Sequence, residues 1–323
     1  GLKLHDFQNM DLATFESVEL SDVGRRRHNN EDACLRLPEL GIYCVADGMG
    51  GVLGGDKASE AVTNTLHVVA ERLRTKIQPR LVDRVALVKA AVNQANKWIR
   101  EFAAQKVIIG QTGTTLVAVI FDPRNPTRAV ALHAGDSRLY RFKGGRLEQL
   151  TSDHTTAAAL AARLDLSPSS LPMGVQNELT RAVGLKDQVE LEQTLVQVHS
   201  GDLFLLCSDG LTRMVPDAVI AGLLNGGAEQ PMAALAEGLI TRANDAGGKD
   251  NITVVLIRVP EISAADISAQ DDDWETAATP DLSSSDIAPI VAVSDPGAIS
   301  PADTPLFYEG ETPTTDEPTP TRH

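Results

Sequence analysis

Six short apolar runs shape the first 260 residues: 42–46, 115–121, 129–134, 138–142, 203–207 and 252–258. As a set they are rich in Val, Ile and Leu and bounded by Gly, Asp or Asn, the composition and punctuation of β-strands. Two longer segments carry helical spacing instead. Ala58, Ala61, Val62, Leu66, Val69 and Leu73 fall on one face, as do Val85, Val88, Val92, Ala95, Ile99 and Phe102. The spacing predicts two amphipathic helices packed on a sheet, with a third helix over 232–243 and Pro216 in the first turn of another. Pro126, in the stretch 124–127 between two apolar runs, suits a hairpin turn. Strands, two helices, many strands and then helices again predict an α+β body with helices outside antiparallel sheets. The pattern leaves a sandwich and an open sheet equally open.

Charge divides the chain. Of 44 acidic and 29 basic residues, residues 261–323 hold 14 and one, so residues 1–260 are nearly neutral and the tail carries most of the net −15. The tail also holds 8 of the 17 prolines, with Ser/Thr/Asp clusters and no sustained hydrophobic period, and is expected to be disordered. Its apolar islands at 287–293 and 306–308 read either as docking motifs or as scattered linker residues. The tail itself reads as a solubilising linker, a phosphorylated segment or a competitor for phosphoprotein substrates. An acidic chain is a poor match for the phosphate backbone, so no nucleic-acid partner is expected. No apolar run is long enough for a membrane-spanning helix. Cys34, Cys44 and Cys207 show no CxxC spacing, which speaks against a disulfide framework or zinc site and for a reducing compartment. A soluble, cytoplasmic, monomeric protein is the expectation.

The chemical signal is an aspartate placed where an apolar run stops or starts. It recurs at Asp47-Gly48, Asp136-Ser137, Asp209-Gly210 and Asp250-Asn251, and an acidic pair, Glu31-Asp32, follows the polar stretch 24–30. Oxygen donors without His or Cys suit hard cations such as Mg²⁺ or Mn²⁺, which would also relieve the repulsion of converging carboxylates. Any single Asp-Gly or Asp-Asn is equally ordinary turn chemistry. Gly48, Gly50, Gly51, Gly54 and Gly55 lie between a strand and the helix that follows, where backbone approaches something closely or takes positive φ. Arg25, Arg26 and Arg27 are a solvated face or, beside Glu31-Asp32, a grip for phosphate oxygens.

Taken in order, these segments resemble the metal-dependent protein phosphatases of the PPM (type 2C) family, over roughly residues 17–258. The resemblance rests on Ser21-Asp22-Val23-Gly24 with Arg27 and Asn30-Glu31-Asp32, then Val45-Ala46-Asp47-Gly48-Met49-Gly50-Gly51 and Gly113-Thr114-Thr115. It continues through Gly135-Asp136-Ser137-Arg138, Leu150-Thr151-Ser152-Asp153-His154, Leu179-Thr180-Arg181-Ala182-Val183-Gly184, Cys207-Ser208-Asp209-Gly210 and Lys249-Asp250-Asn251. The Asp-Gly-Met-Gly-Gly form is similar to the bacterial branch. The resemblance implies a central sandwich of two antiparallel β-sheets flanked by helices on both faces, with a catalytic domain over 1–260 and a mobile flap near 155–179.

The same resemblance implies a phosphoserine/phosphothreonine protein phosphatase that opposes a Ser/Thr kinase, working through a hydroxide that bridges two Mn²⁺ or Mg²⁺ ions. Asp47 would bridge the ions, Gly48 would give its carbonyl, Asp209 and Asp250 would bind the second ion, and Glu31 and Asp32 would assist through water. Asp136, with Asp209, would hold a third and weaker ion, and Arg27 would bind the substrate phosphate. Met49 stands where animal relatives carry a candidate general acid, His. His154 is then either a proton donor or a structural hydrogen bond in the 151–155 turn. Cys44 and Cys207 read as core thiols. A phosphoprotein-binding regulatory module of the same fold, and a phosphatase for small esters, are the competing readings.

Overall fold

The computed structural model describes residues 15–50, 54–74, 79–105, 111–167, 170–226, 230–263 and 266. The expectations for the tail beyond 263, apart from Asp266, and for Gly51, lie outside the described residues.

The chain runs through β1 (Glu16–Asp22), β2 (Asp32–Leu37), β3 (Ile42–Met49), α1 (Gly55–Arg74), α2 (Leu81–Gln105), β4 (Gly113–Thr114), β5 (Leu116–Phe121) and β6 (Arg128–Ala134). It continues with β7 (Arg138–Lys143), β8 (Arg146–Gln149), α3 (Thr156–Leu164), α4 (Met173–Gln176), β9 (Glu192–Gln197) and β10 (Leu203–Cys207). It closes with α5 (Asp209–Thr212), α6 (Asp217–Gly226), α7 (Met232–Asp245) and β11 (Ile252–Arg258). One sheet has the order β2-β3-β5-β6-β9, with β4 paired to the end of β3, and the other the order β1-β11-β10-β7-β8. All pairings are antiparallel.

Interior strands such as β5 and β10 read as continuous apolar runs because both of their faces are covered. Along β5, Val117, Val119 and Phe121 point into the space between the sheets, while Leu116, Ala118 and Ile120 meet α1 and α2. Along β10, Phe204 and Leu206 face the other sheet, and Leu203, Leu205 and Cys207 join Ile220, Leu235 and Leu239 of α6 and α7. The result is four layers, helices, sheet, sheet, helices, as the resemblance implied. The chain is poor in aromatics, yet Phe15, Tyr43 and Phe204 all set their rings edge-on against Phe121, with centroids 5.0, 6.0 and 5.6 Å away. Truncating Phe121 to Ala would cost about 3–5 kcal/mol.

The strand directions set up the site. Because β2, β3, β5 and β6 alternate, the start of β2 (Asp32), the end of β3 (Asp47) and the exit of β6 (Asp136) share one end of their sheet. In the other sheet the exit of β10 (Asp209) and the entry to β11 (Asp250) share one end likewise. The Ser208 and Thr253 hydroxyls both donate to Asp32 Oδ2 at 2.7 Å, so the two ends are the same end of the sandwich.

Candidate active site

Asp47 is fixed from its backbone outward. Its N–H donates to Thr115 Oγ1 at 2.9 Å, and its carbonyl accepts from the Thr115 N–H at 2.9 Å and from Thr114 Oγ1 at 3.0 Å. Thr115 Oγ1 is itself 2.7 Å from Ser137 Oγ, next to Asp136. Strand β3 runs on through Gly48 and Met49 because β4 pairs with them, so Asp47-Gly48 is strand and not a turn. Gly48 is required for space: a Cβ there would lie 2.1 Å from the Gly55 carbonyl oxygen and 2.5 Å from that of Glu31. Gly210 is constrained in the same way, its Cβ position lying 1.9 Å from the Asn251 carbonyl oxygen. The glycines after these aspartates therefore serve close packing, at ordinary φ.

Asn251 organises the loop that carries Arg27 and Glu31. Its side chain accepts from the Glu31 N–H at 2.8 Å and donates to the carbonyls of Val23 and Asn29 at 3.0 and 2.9 Å. Ser59 of α1 donates to the Glu31 carbonyl at 2.7 Å, and the Gly48 N–H donates to it at 3.1 Å. Arg27, half-exposed at the rim, donates to Asp250 Oδ2 at 2.9 Å and lies 3.6 Å from Glu31 Oε2. Arg213 pairs with Asp209 and, at 3.1 Å, with Asp136.

So many acids in so little water resist ionising together. Desolvation, then the charges of Asp32, Asp209, Asp136 and Asp250, hold the Asp47 carboxyl well above the ordinary range. Asp209 is pushed up to about 8, by desolvation first and Asp136 second, with Arg213 working against them. Asp32 is raised to about 6 by desolvation, which outweighs the two hydroxyl hydrogen bonds. Desolvation also raises Asp136 and Glu31, against Arg213 and Arg27 respectively. Two buried carboxylate oxygens in this cluster, Asp32 Oδ1 and Asp209 Oδ1, have no hydrogen-bond partner among the described residues. Uncompensated oxygens among like charges are a donor set for a hard cation.

Beside the cluster a cavity of about 520 Å³ is lined by Asp136, Asp209, Arg213, Lys249 and Asp250 together with Ala157, Gln176 and Asn177 of the 155–179 segment. That segment is pinned at its base by the Thr180 N–H on the His154 carbonyl and the Thr156 N–H on the Glu178 carbonyl, both at 2.8 Å. His154 is engaged on both ring nitrogens: Nδ1 accepts from the Gly135 N–H at 3.2 Å, and Nε2 lies 3.0 Å from Glu192 Oε2. These bonds fit the structural role. Ligand atoms of His133, His154 and Glu192 come within 4.8 Å of one another, but the two rings stack 4.4 Å apart at 13°. Their in-plane lone pairs therefore lie in separate, nearly parallel planes, a poor arrangement for converging on one ion. Cys44 and Cys207 are free, fully buried thiols raised chiefly by desolvation, Cys207 to about 12. Neither is a nucleophile in its resting state.

The structure thus brings Glu31, Asp32, Asp47, Gly48, Asp136, Asp209 and Asp250 together, with Arg27 at the rim. Three supports were not singled out from sequence: Arg213, the Ser208 and Thr253 hydroxyls, and Asn251. Arg213 stands four residues after Asp209, the helical spacing for an ion pair, and was legible on that ground.

The profile of the family described as Protein phosphatase 2C matches residues 24–239. The serine/threonine phosphatase stp of Listeria welshimeri is 34% identical over 241 residues, spanning 73% of this chain and 93% of that protein. Protein phosphatase PhpP of Streptococcus pneumoniae is 34% identical over 260 residues, spanning 76% of this chain and 98% of its own length. Among solved structures, the catalytic domain of the serine/threonine protein phosphatase PstP in complex with two manganese ions superposes with a TM-score of 0.66 at 32% identity, covering 76% of this chain and 99% of that one.

Proposed function

The chain belongs to the protein phosphatase 2C (PPM) family of bacterial serine/threonine protein phosphatases, and from that footing we propose that it removes phosphate from phosphoserine and phosphothreonine with two divalent ions held at the carboxylate cluster. One observation carries the assignment of the site: Asp32 Oδ1 and Asp209 Oδ1 are buried, without partners among the described residues, in a cluster of carboxyls that desolvation and mutual repulsion hold above their ordinary range. In this reading Asp47, the Gly48 carbonyl, Asp209 and Asp250 hold Mn²⁺ or Mg²⁺, and Glu31 and Asp32 act through water. Bound there, such ions polarise phosphoryl oxygens and make a water acidic enough to serve as nucleophile near neutral pH.

The chain's own residues do the positioning. Thr114, Thr115 and Ser137 fix Asp47, and Ser208 and Thr253 lock the rotamer of Asp32. Arg27, oriented by Asp250 and Glu31, offers its remaining N–H groups to the substrate phosphate in a bidentate grip. Met49 has no proton to give, and the bonds of buried His154 to Gly135 and Glu192 support a structural role for that ring. Residues 1–260 carry this activity, and the physiological role is to oppose a Ser/Thr kinase in bacterial signalling.

The test is phosphate release from phosphothreonine and phosphoserine peptides with Mn²⁺, with Mg²⁺ and with chelator, beside Asp47→Asn and Asp209→Asn. Metal-dependent release that is lost in both variants is expected. Folded protein that is inactive with either metal yet binds phosphopeptides would replace the enzyme reading with that of a binding module.

A further inference from the structure

Asp136 and Asp209 reach the site from different sheets, and one group joins them. Arg213 Nη2 donates to Asp136 Oδ2 at 3.1 Å and pairs with Asp209 Oδ2 as well, so a single nitrogen bridges two buried carboxylates. Local structure sets this up. Asp209 opens the one-turn helix α5, and the Arg213 N–H closes that turn on the Asp209 carbonyl at 2.8 Å, which brings the guanidinium back over the carboxylate four residues earlier. The Gly135-Asp136 corner then delivers the second acid from the exit of β6.

We propose that the Arg213 guanidinium is the resident cation of the Asp136–Asp209 junction and stands in for a third metal ion there, so that this chain takes two divalent ions and not three. The inference rests on the two-ion reading of Asp47, Asp209 and Asp250 above. A divalent ion bound by Asp136 and Asp209 would sit roughly 2.0–2.2 Å from their oxygens. One of those oxygens lies 3.1 Å from Arg213 Nη2 and the other is paired with the same nitrogen, so ion and guanidinium would repel at close range among buried groups. Arg keeps its charge at any working pH, so the junction holds a cation without drawing on metal. Asp209 divides its two oxygens accordingly: Oδ2 belongs to Arg213, and Oδ1, without a partner among the described residues, is left for the two-ion centre.

The experiment counts Mn²⁺ bound to the full chain, without substrate, by equilibrium dialysis with metal analysis and by calorimetric titration. Wild type and Asp136→Asn are each expected to bind two ions. Arg213→Ala is expected to gain one further, weaker ion and to lose it again when Asp136→Asn is added, while Arg213→Lys, which keeps a cation, stays at two. Circular dichroism verifies that each variant is folded. Three ions on wild type falling to two in Asp136→Asn, or only two on a folded Arg213→Ala, would overturn the inference and leave the two-ion centre standing. Fewer than two on wild type would overturn the two-ion reading and this inference with it.

Discussion

In chelator, Asp209→Asn is expected to become progressively more stable than wild type as the pH rises. The Asp209 carboxyl is pushed up to about 8 from an ordinary 3.8, by desolvation first and by Asp136 second. In the unfolded chain the same group is ionised above its ordinary value, so across this window the folded state holds a proton that the unfolded state has released. Stability therefore falls as pH rises toward the folded-state value and levels off above it. At about 1.4 kcal/mol per pH unit, the loss from pH 5 to pH 8 is about 4 kcal/mol for a site acting alone. Asp32, Asp47 and Asp136 are also held above the ordinary range and share the same protons. The contrast attributable to Asp209 is then about 2–4 kcal/mol. Asn carries no charge, keeps a carbonyl for Arg213 and removes that loss. Acids shifted the other way, among them Asp22, Glu39 and Glu148, are ionised in both states above pH 5 and cancel in the comparison. Thermal unfolding followed by circular dichroism at pH 5, 6, 7 and 8 in EDTA should show the variant's advantage in midpoint growing by roughly 5–15 °C. With saturating Mn²⁺ the order should reverse, because the ion binds only the folded wild-type site. A difference that stays constant from pH 5 to pH 8 would refute the reasoning.

Gly48→Ala places a Cβ 2.1 Å from the Gly55 carbonyl oxygen, so the β3–α1 junction must open; a loss of about 2–4 kcal/mol in urea unfolding is expected, and an unchanged midpoint would contradict the packing argument. Arg27→Lys cannot span Asp250 and Glu31 while gripping phosphate, and should raise the phosphopeptide KM about 10-fold and weaken inhibition by inorganic phosphate; equal constants for both proteins would remove Arg27 from phosphate binding. Alkylation of native protein by iodoacetamide at pH 7.5, followed by mass spectrometry, should leave Cys44 and Cys207 unmodified with activity intact, since both are buried thiols with raised pKa values. Rapid modification of either would mean that its strand opens to solvent.

What could be read from the sequence follows the physics of burial. Strands β3, β5, β6, β10 and β11 were legible because they lie inside their sheets and are mostly apolar, and β7, also interior, because Leu139, Tyr140 and Phe142 stand out between its basic residues. Strands β1, β2, β8 and β9 were not, and they are the four sheet edges: a sequence such as Glu192-Gln193-Thr194-Leu195-Val196-Gln197 has one half-covered face and carries little apolar signal. The aspartates were legible because they punctuate apolar runs. Their supports were not, because Asp32 meets Ser208 and Thr253 across 176 and 221 residues of chain, a distance that only the stacking of the two sheets closes. The choice between a sandwich and an open sheet came from the resemblance, since residues facing helices and residues facing a second sheet are equally apolar. The Asp-Gly pairs show where a generic expectation fails: a turn and a close approach both select Gly, and only the Gly55 carbonyl beside Gly48 tells which applies.

The charges at the end of the sandwich give the two-ion reading its economy. Glu31, Asp32, Asp47, Asp136, Asp209 and Asp250 carry six negative charges when ionised, and Arg27 and Arg213 return two, which leaves the charge that two divalent ions neutralise. Without ions the cluster approaches neutrality by holding protons, which is what the raised Asp32, Asp47, Asp136 and Asp209 carboxyls express. Protons, guanidiniums and metal ions are thus alternative counter-charges for the same acids. The strand directions that bring these acids together destabilise the empty site, and the same repulsion favours ion binding. Arg213 settles one junction permanently, and the remaining acids stay responsive to metal.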